Sequence, residues 1–344
     1  MTRFVVLGAG AIGCWAAGML ALAGERPLLV GRARVVDALR TQGLRVSDLD
    51  GLSETVPPDR IDAAESLPDA IERLGPAALS GAIVLLCVKG GDTRAAAREA
   101  AQSLAPGTPV VSLQNGVDNP ARVREAAPVL EPVAGMVPFN VVMPQPGAPH
   151  RATGGAVRLQ DAPACRRLAE ALRAAGQAVE LHADLLPVQW GKLLLNLNNP
   201  VNALSGLPLR EQLLGRDYRR ALALLQDEAL AALAAAGIEP ARVAAVAPRV
   251  LPRLLRLPDA LFALLARRML HIDPRARSSM WDDLQAGRAT EIDDFCGAVV
   301  RLADAHGAAA PANRRMVELV GAHERGRTWG GAALLAALSS GAGR

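Results

Sequence analysis

The two halves of the chain differ in the spacing of their apolar residues. In the first half, short runs rich in Val, Ile and Leu, such as 3–7, 27–30 and 83–88, alternate with stretches of helical periodicity. From Pro187 onward the β-branched runs disappear and helical periodicity alone remains. Strands that alternate with helices are typical of an open parallel sheet. We therefore predict an α/β fold, with a Rossmann-type dinucleotide-binding domain over residues 1–185 and an all-helical domain over residues 186–344.

The remaining elements of the first half follow the same alternation. A helix is predicted over 93–104, then strands over 109–113 and 131–143. Residues 144–155 are predicted to form a connecting loop, followed by a strand, a helix and a last strand that ends near His182.

The first predicted strand runs directly into Gly8-Ala9-Gly10-Ala11-Ile12-Gly13, and a helical stretch follows as far as Ala23. This is the G-x-G-x-x-G pattern in the context it needs, after a strand and before a helix. The first glycine permits a tight turn, the second lets a pyrophosphate approach the backbone, and the third lets the helix pack on the strand. The amides at the helix N-terminus then face the phosphates. All six residues are candidates for cofactor binding.

An uncharged run of this length is also typical of a signal peptide or a membrane span. Residues 4–24 carry no charge, but glycines interrupt the run at 8, 10, 13, 18 and 24. The run also divides into a β-branched half and an Ala-rich half, which a strand-turn-helix explains better. The four scattered cysteines have no metal-ligand spacing and indicate reduced thiols, so we expect a cytoplasmic protein without a metal.

The second predicted strand ends in Gly31-Arg32, where NAD-binding proteins carry an acidic residue for the ribose hydroxyl. An arginine there can pair with the 2′-phosphate of NADP, and Arg34 can assist. The alternative is that Arg32 is a solvated loop residue. We favour NADP as the cofactor.

Lysine occurs only twice, at Lys89 and Lys192, and every other basic side chain is arginine. A lysine retained in such a chain suggests a position that guanidinium cannot fill, since only the ammonium group gives up a proton readily. Lys89 and Asn115 each follow a predicted parallel strand, where open α/β sheets bind ligands. An Asn-Gly pair is also ordinary turn chemistry. Asn140, within the predicted strand 131–143, is a further candidate for cofactor binding.

The second lysine lies in a predicted helix over 188–199 that is otherwise apolar. Lys192, Asn196 and Asn199 are spaced i, i+4 and i+7, which places them on one helix face, and Gln189 extends that stripe. Burying amides and an ammonium group among leucines is costly unless they face a polar ligand. The alternative is a face in contact with solvent, but solvated faces in this chain carry Arg, Glu and Asp.

A second polar cluster includes Ser278, Ser279 and Glu291. Thr290 is predicted to be the N-cap of a helix that ends near His306, and Glu291 would then be a first-turn acid stabilised by the helix dipole. Either serine fits an N-cap as well. A structural role and a functional role remain open for all three at this point.

Taken together, these motifs resemble those of the ketopantoate reductase (2-dehydropantoate 2-reductase) family along nearly the whole chain. The resemblance rests on the N-terminal glycine motif, Val88-Lys89, Leu113-Gln114-Asn115-Gly116, Lys192 with Asn196, and Ser278-Ser279-Met280 followed by Thr290-Glu291-Ile292-Asp293. It implies NADPH, a helical C-terminal domain and a substrate cleft between the domains.

The resemblance also implies a role for each matching residue. Lys192 would be the general acid and Asn196 a substrate contact, with Asn115 near nicotinamide and substrate and Lys89 on the cofactor side. The serine pair would bind the substrate carboxylate, and Glu291 would hold the cofactor or a substrate hydroxyl. Pro200 stands where the family often has a second asparagine, and we expect Asn199 to replace it, with Asn198 and Asn202 nearby.

The composition of the chain limits the kinds of partner that we expect it to bind. A net charge of +4 suits a small anionic substrate, and aromatic residues at 3% offer no platform for stacking bases, so we expect no nucleic acid. The Leu- and Ala-rich helices of 218–270 could bury apolar surface against a second copy of the chain in a homodimer.

Two other functions remain open: reduction of a different oxo acid or imine, and a sensor that binds NADPH without catalysis. The retained proton donor argues against the sensor.

Overall fold

The computed structural model describes residues 3–243, 246–267, 270 and 275–340, and the chain divides into two compact units, Met1–Leu185 and Leu186–Arg344. The first unit is α/β and the described elements of the second are all helical, which confirms the predicted fold class. Within the described residues, no helix is both long and apolar enough to cross a membrane.

The first unit contains twelve strands and six α-helices in its described residues. The strands are β1 (Phe4–Leu7), β2 (Leu28–Val30), β3 (Leu44–Asp48), β4 (Ser53–Val56), β5 (Asp62–Ala64), β6 (Ile83–Leu86), β7 (Pro109–Ser112), β8 (Glu131–Met136), β9 (Val141–Val142), β10 (His150–Arg151), β11 (Val157–Gln160) and β12 (Val179–His182). The helices are α1 (Ala11–Leu22), α2 (Ala33–Gln42), α3 (Leu67–Leu74), α4 (Thr93–Ser103), α5 (Asn119–Ala126) and α6 (Pro163–Ala174).

Eight strands form the main sheet, in the order β12-β11-β8-β7-β6-β1-β2-β5. Neighbouring strands are parallel except β8 and β11, which are antiparallel. In the central strand β1, Phe4 and Val6 face one apolar core while Val5 and Leu7 face another. Burial on both faces explains why these strands are continuous apolar runs in the sequence.

A second sheet, β4-β3-β10-β9, was not predicted. The predicted strand 131–143 is wrong as a single element, since it divides into β8 and the two-residue β9. Between them lies Pro138, which has no N–H to donate to a ladder. The predicted loop 144–155 contains β10, which pairs with β3 and β9. The new sheet packs against α1, and the Trp15 and Phe139 rings meet edge to face at 4.8 Å.

The second unit contains ten α-helices in its described residues. They are α7 (Leu186–Asn196), α8 (Asn198–Ser205), α9 (Leu209–Leu214), α10 (Arg216–Ala235), α11 (Leu251–Leu255), α12 (Asp259–Leu265), α13 (Ser279–Gln285), α14 (Ile292–Ala305), α15 (Pro311–Gly321) and α16 (Gly331–Ser339).

Two boundaries differ from the sequence prediction. The helix predicted over 188–199 is interrupted at Leu197, because Pro200 lacks the N–H that would bond to the Asn196 carbonyl. The N-cap of α14 is Glu291 rather than Thr290, and it makes no side-chain capping bond.

Arg219 on α10 holds the ends of two neighbouring helices. Its fully buried guanidinium donates to the carbonyl oxygens of Leu213, Leu214, Leu255 and Leu257 at 2.8–3.1 Å, and to Asp259 at 2.6 Å. The first four are carbonyls at or beyond helix C-termini, which lack partners within their own helices. A single side chain therefore satisfies the ends of α9 and α11.

Candidate functional site

The glycine loop after β1 has the geometry that the motif predicts. Gly8 lies at φ +110°, and a Cβ there would come within 2.7 Å of the backbone of Cys87 and Val88. A Cβ on Gly13 would lie 1.9 Å from the Gly8 carbonyl oxygen. Around Gly10, in contrast, nothing lies within 4 Å of an added Cβ. Two glycines thus permit close packing, and the third keeps a space open.

The helix that follows begins without a capping side chain. Ala11 is the first residue of α1, and the Gly10 N-cap offers no side-chain acceptor to the first-turn amides. Ala9, Ala11 and Ile12 are partly exposed. The open space at Gly10 and the uncapped amides fit the pyrophosphate of a dinucleotide, because they leave room for an anion at the positive end of the helix dipole.

Arg32 directly follows β2 and Gly31, at the N-terminus of α2. The side chains of Arg32 and Arg34 are exposed, and neither forms an ion pair or a side-chain hydrogen bond within the described residues. Arg40, further along the same helix, is instead engaged by the Ala63 carbonyl and Asp69. The two guanidinium groups nearest the glycine loop are therefore available to an anion.

The remaining predicted residues of this unit lie along the same edge of the sheet. Strands β8, β7, β6, β1 and β2 are adjacent and parallel, and Asn140, Asn115, Lys89, the glycine loop and Arg32 follow their carboxyl ends in that order. Neighbouring strands lie about 4.8 Å apart, so the row spans roughly 19 Å. Five candidates taken from separate parts of the sequence thus form one line.

A buried polar network that the sequence did not predict holds the two turns in the middle of this row, at Lys89 and Asn115. Gln114 donates to the Val88 carbonyl and to the Thr93 hydroxyl, both at 2.8 Å. Thr93 donates to Asn119, and Asn119 donates to the Asn115 carbonyl at 2.7 Å. The network ties the turn at Lys89 to the turn at Asn115. Its members are single polar residues far apart in sequence, so no local pattern predicts it.

Asn140 lies in the turn between β8 and β9, and its side chain is exposed. Its backbone N–H donates to the Thr153 hydroxyl at 2.8 Å, and its carbonyl accepts from Ala152 at 2.8 Å. The backbone is fixed on both sides while the amide side chain remains outside.

In the second unit, Lys192 lies on α7 and is partly buried. Burial lowers the pKa of its ammonium group to about 8, and the nearby Glu291 carboxylate opposes that shift. Desolvation disfavours the charged amine, while an opposite charge favours it. Asn196, one turn later on α7, is also partly exposed. The structure therefore brings together Lys192 and Glu291, which are 99 residues apart in sequence.

The two serines at the start of α13 differ in their surroundings. Ser278 is buried; its hydroxyl accepts from the Trp281 N–H and donates to the Asn199 carbonyl, each at 3.2 Å. A hydroxyl has one proton, so Ser278 has no donor left for a ligand. Ser279 is exposed. Ser278 therefore fills the N-cap role that the sequence left open, and Ser279 is accessible to a ligand.

The asparagines after Lys192 also separate. Asn202 is fully buried, accepts from the Ser278 N–H at 2.9 Å and donates to the Leu207 carbonyl at 2.9 Å. Asn199 and Asn198 are partly exposed, and the buried Oδ1 of Asn198 has no hydrogen-bond partner among the described residues. Asn202 is therefore committed to holding α8 against α13, and the other two amides are closer to solvent.

Together the two units define a class of protein. A dinucleotide-fold unit with open space at its glycine loop is followed by a helical unit in which a lysine of lowered pKa lies near a carboxylate. The first unit matches the family model "Ketopantoate reductase PanE/ApbA" over residues 4–164, and the second matches its C-terminal model over residues 184–324. The chain belongs to the ketopantoate reductase family, a family of oxidoreductases.

Individual relatives match this chain over more than nine-tenths of its length. The chain is 27% identical over 325 residues to 2-dehydropantoate 2-reductase of Halobacterium salinarum, covering 92% of this chain and 97% of that protein. It is similar to the crystal structure of a PanE/ApbA family ketopantoate reductase from Ralstonia eutropha JMP134, with a TM-score of 0.75, 32% identity and coverage of 93% and 97%. D-mandelate dehydrogenase, solved with NADH and anilino(oxo)acetate, shares the fold with a TM-score of 0.71, at 21% identity and coverage of 98% and 99%.

Proposed function

We propose that this chain reduces ketopantoate, a 2-oxo acid, to its 2-hydroxy acid with NADPH. The observation that carries the proposal is Lys192, a lysine of lowered pKa near Glu291, one turn before Asn196 on α7, in a member of the ketopantoate reductase family. Reduction of a carbonyl needs a hydride at carbon and a proton at oxygen.

The bound cofactor supplies the hydride. The glycine loop and the uncapped start of α1 would hold its pyrophosphate, with Lys89, Asn115 and Asn140 as further contacts along the same sheet edge. Arg32 and Arg34 would bind the 2′-phosphate that distinguishes NADPH from NADH, because neither guanidinium forms an ion pair within the described residues. This choice differs from the NADH in the mandelate dehydrogenase structure.

Lys192 would give its proton to the developing alkoxide. With a pKa of about 8 instead of 10.5, proton release is easier by about 3 kcal/mol, yet most of the lysine is still protonated at pH 7. Glu291 opposes the effect of burial and keeps the ammonium form populated. The lysine is thus suited to a general acid that works near neutral pH.

The neutral donors around Lys192 would orient the substrate. Ser279, whose hydroxyl is accessible, would bind the carboxylate, and Asn196 would contact the carbonyl. Asn199 or Asn198 would complete the pocket in place of the family asparagine that Pro200 replaces, since Asn202 is already committed to Ser278 and Leu207. Glu291 would accept a hydrogen bond from a hydroxyl on the substrate or the cofactor.

The test compares kcat/KM for ketopantoate with that for 2-oxoisovalerate, with NADPH as reductant. Ketopantoate carries a hydroxyl that 2-oxoisovalerate lacks, and a buried polar group left unmatched costs about 1–3 kcal/mol. We expect a preference of about tenfold or more for ketopantoate, reduced in Glu291→Ala. Equal values for the two substrates would instead support a family member that reduces another oxo acid or an imine. The substitution at Pro200 favours this alternative. No turnover of any oxo acid would support the sensor.

A further inference from the structure

A cleft on the second unit is lined by residues that have no role in the proposed reaction. It has a volume of about 320 Å³ and lies between the end of α13, the segment before α14 and the end of α15. Small-molecule sites begin at about this size. Its lining includes two apolar residues, Leu284 and Val320, and four polar ones, Arg288, Thr290, His323 and Arg325.

Two guanidinium groups line this cleft. Arg325 forms no ion pair or hydrogen bond within the described residues, and its Nη2 lies 3.0 Å from the position of a Cβ on Gly287. Gly287 has a φ of +63°, which favours glycine. Because glycine has no side chain, the Arg325 guanidinium has room above the backbone. Arg288 donates through Nε to the buried Asp283 at 3.0 Å, which fixes its plane. Its two Nη groups have no partner in the described part of the chain.

His323 gives an independent indication of a missing partner. Both of its ring nitrogens are buried, and neither has a hydrogen-bond partner among the described residues. Buried polar atoms without partners are uncommon, and a bound water, ion or ligand is one explanation for them. Burial and the nearby Arg327 lower the pKa of the imidazole, which keeps it neutral with one N–H to donate.

We propose that this cleft binds a small oxyanion, a phosphate or a carboxylate. Arg325 and Arg288 would supply planar N–H pairs, which match two oxygens of such a group, while Thr290 and His323 would add neutral donors. All of its lining residues belong to the second unit, whereas the row of cofactor-binding candidates belongs to the first. The site does not depend on the identity of the substrate.

Phosphate titration followed by NMR of the histidine rings tests the proposal, because the chain has only five histidines. Inorganic phosphate is added to the full-length protein at constant ionic strength, and the His323 signal is assigned by its loss in His323→Asn. We expect a saturable shift of that signal. A parallel titration with malonate shows whether phosphate or carboxylate binds more tightly.

Matched variants separate this site from general screening. Arg325→Ala should weaken phosphate binding by about tenfold or more, since a hydrogen bond to a charged group is lost. Arg220→Ala removes the same charge from an exposed side chain of α10 that is not in the lining, and should leave the affinity unchanged. Arg32→Ala should also leave it unchanged. A linear shift without saturation, no shift with either anion, or equal weakening by Arg325→Ala and Arg220→Ala would overturn the proposal.

Discussion

The charge of Glu291 should set the pH at which the enzyme loses activity. Lys192 has a pKa of about 8, lowered by burial and held up by the Glu291 carboxylate. A general acid must be protonated to act, so kcat should be constant at low pH and fall as pH rises through about 8. At one pH unit above that value, only about a tenth of the lysine remains protonated, so kcat should be about tenfold below its plateau.

The perturbation is Glu291→Gln, which keeps the shape of the side chain and removes its charge. Without the carboxylate only the opposing influence of burial remains, so the pKa of Lys192 falls and the decline of kcat moves to lower pH. The assay is the pH profile of kcat for ketopantoate with saturating NADPH, followed by the nicotinamide absorbance. Glu324→Gln, at an exposed position, serves as a control for the loss of one negative charge and should leave the profile unchanged.

Variants of Lys192 test its general-acid role directly. Lys192→Ala should lower kcat by about two to four orders of magnitude and leave NADPH binding nearly intact. Lys192→Arg should be almost as poor, because guanidinium does not readily release a proton. Wild-type turnover in Lys192→Arg, or a decline of kcat at the same pH in Glu291→Gln as in wild type, would refute the general-acid role coupled to Glu291.

Three further predictions use other parts of the structure. Arg32→Ala should weaken NADPH about ten- to a hundredfold and leave NADH unaffected, measured by fluorescence titration; equal loss for both cofactors contradicts the 2′-phosphate contact. Ser279→Ala should raise KM for the oxo acid with little loss of thermal stability. Ser278→Ala should instead lower the free energy of unfolding by about 1 kcal/mol, because the helix cap is lost. The reverse pattern would exchange the roles of the two serines. Arg219→Leu should lower the free energy of unfolding by at least about 3 kcal/mol, because four carbonyls lose their donor. Arg220→Leu, which removes an exposed arginine with one ion pair to Asp217, should change it by less than about 0.5 kcal/mol in the same urea titration, and similar losses would show that the buried contacts contribute little.

The sequence predicted those features that depend on neighbouring residues. The glycine loop has a fixed spacing and a fixed context, so Gly8, Gly10 and Gly13 could be assigned separate tasks before the fold was known. The placement of Lys89 and Asn115 followed from a general rule about strand ends. In contrast, the strands β9 and β10 have two residues each and carry no periodicity. β10 lies between β9 and β3, and β3 is far away in sequence.

The serines show a different limit. Ser278 and Ser279 are adjacent and chemically identical, and either satisfies the rules for a helix cap. The structure decides between them, because the Ser278 hydroxyl accepts from the Trp281 N–H and donates to the Asn199 carbonyl, while Asn202 accepts from the Ser278 N–H. Both asparagines lie on α8, so the choice depends on where α8 begins. A choice between two neighbouring hydroxyls is therefore a tertiary property, even though both lie in a recognisable motif.

The interruption at Leu197 connects these observations. Because Pro200 ends the hydrogen-bond ladder of α7, the chain begins a new helix at Asn198 and directs Asn202 toward the start of α13. The Asn202 amide and the Asn199 carbonyl then hold Ser278, which leaves Ser279 at the surface. Pro200 thus lies between the proposed acid, Lys192 on α7, and Asn202, which holds the residue next to the proposed carboxylate contact, Ser279. Because α8 holds the neighbour of Ser279, a shift of α8 would displace the proposed carboxylate contact relative to Lys192 without any change of catalytic residue.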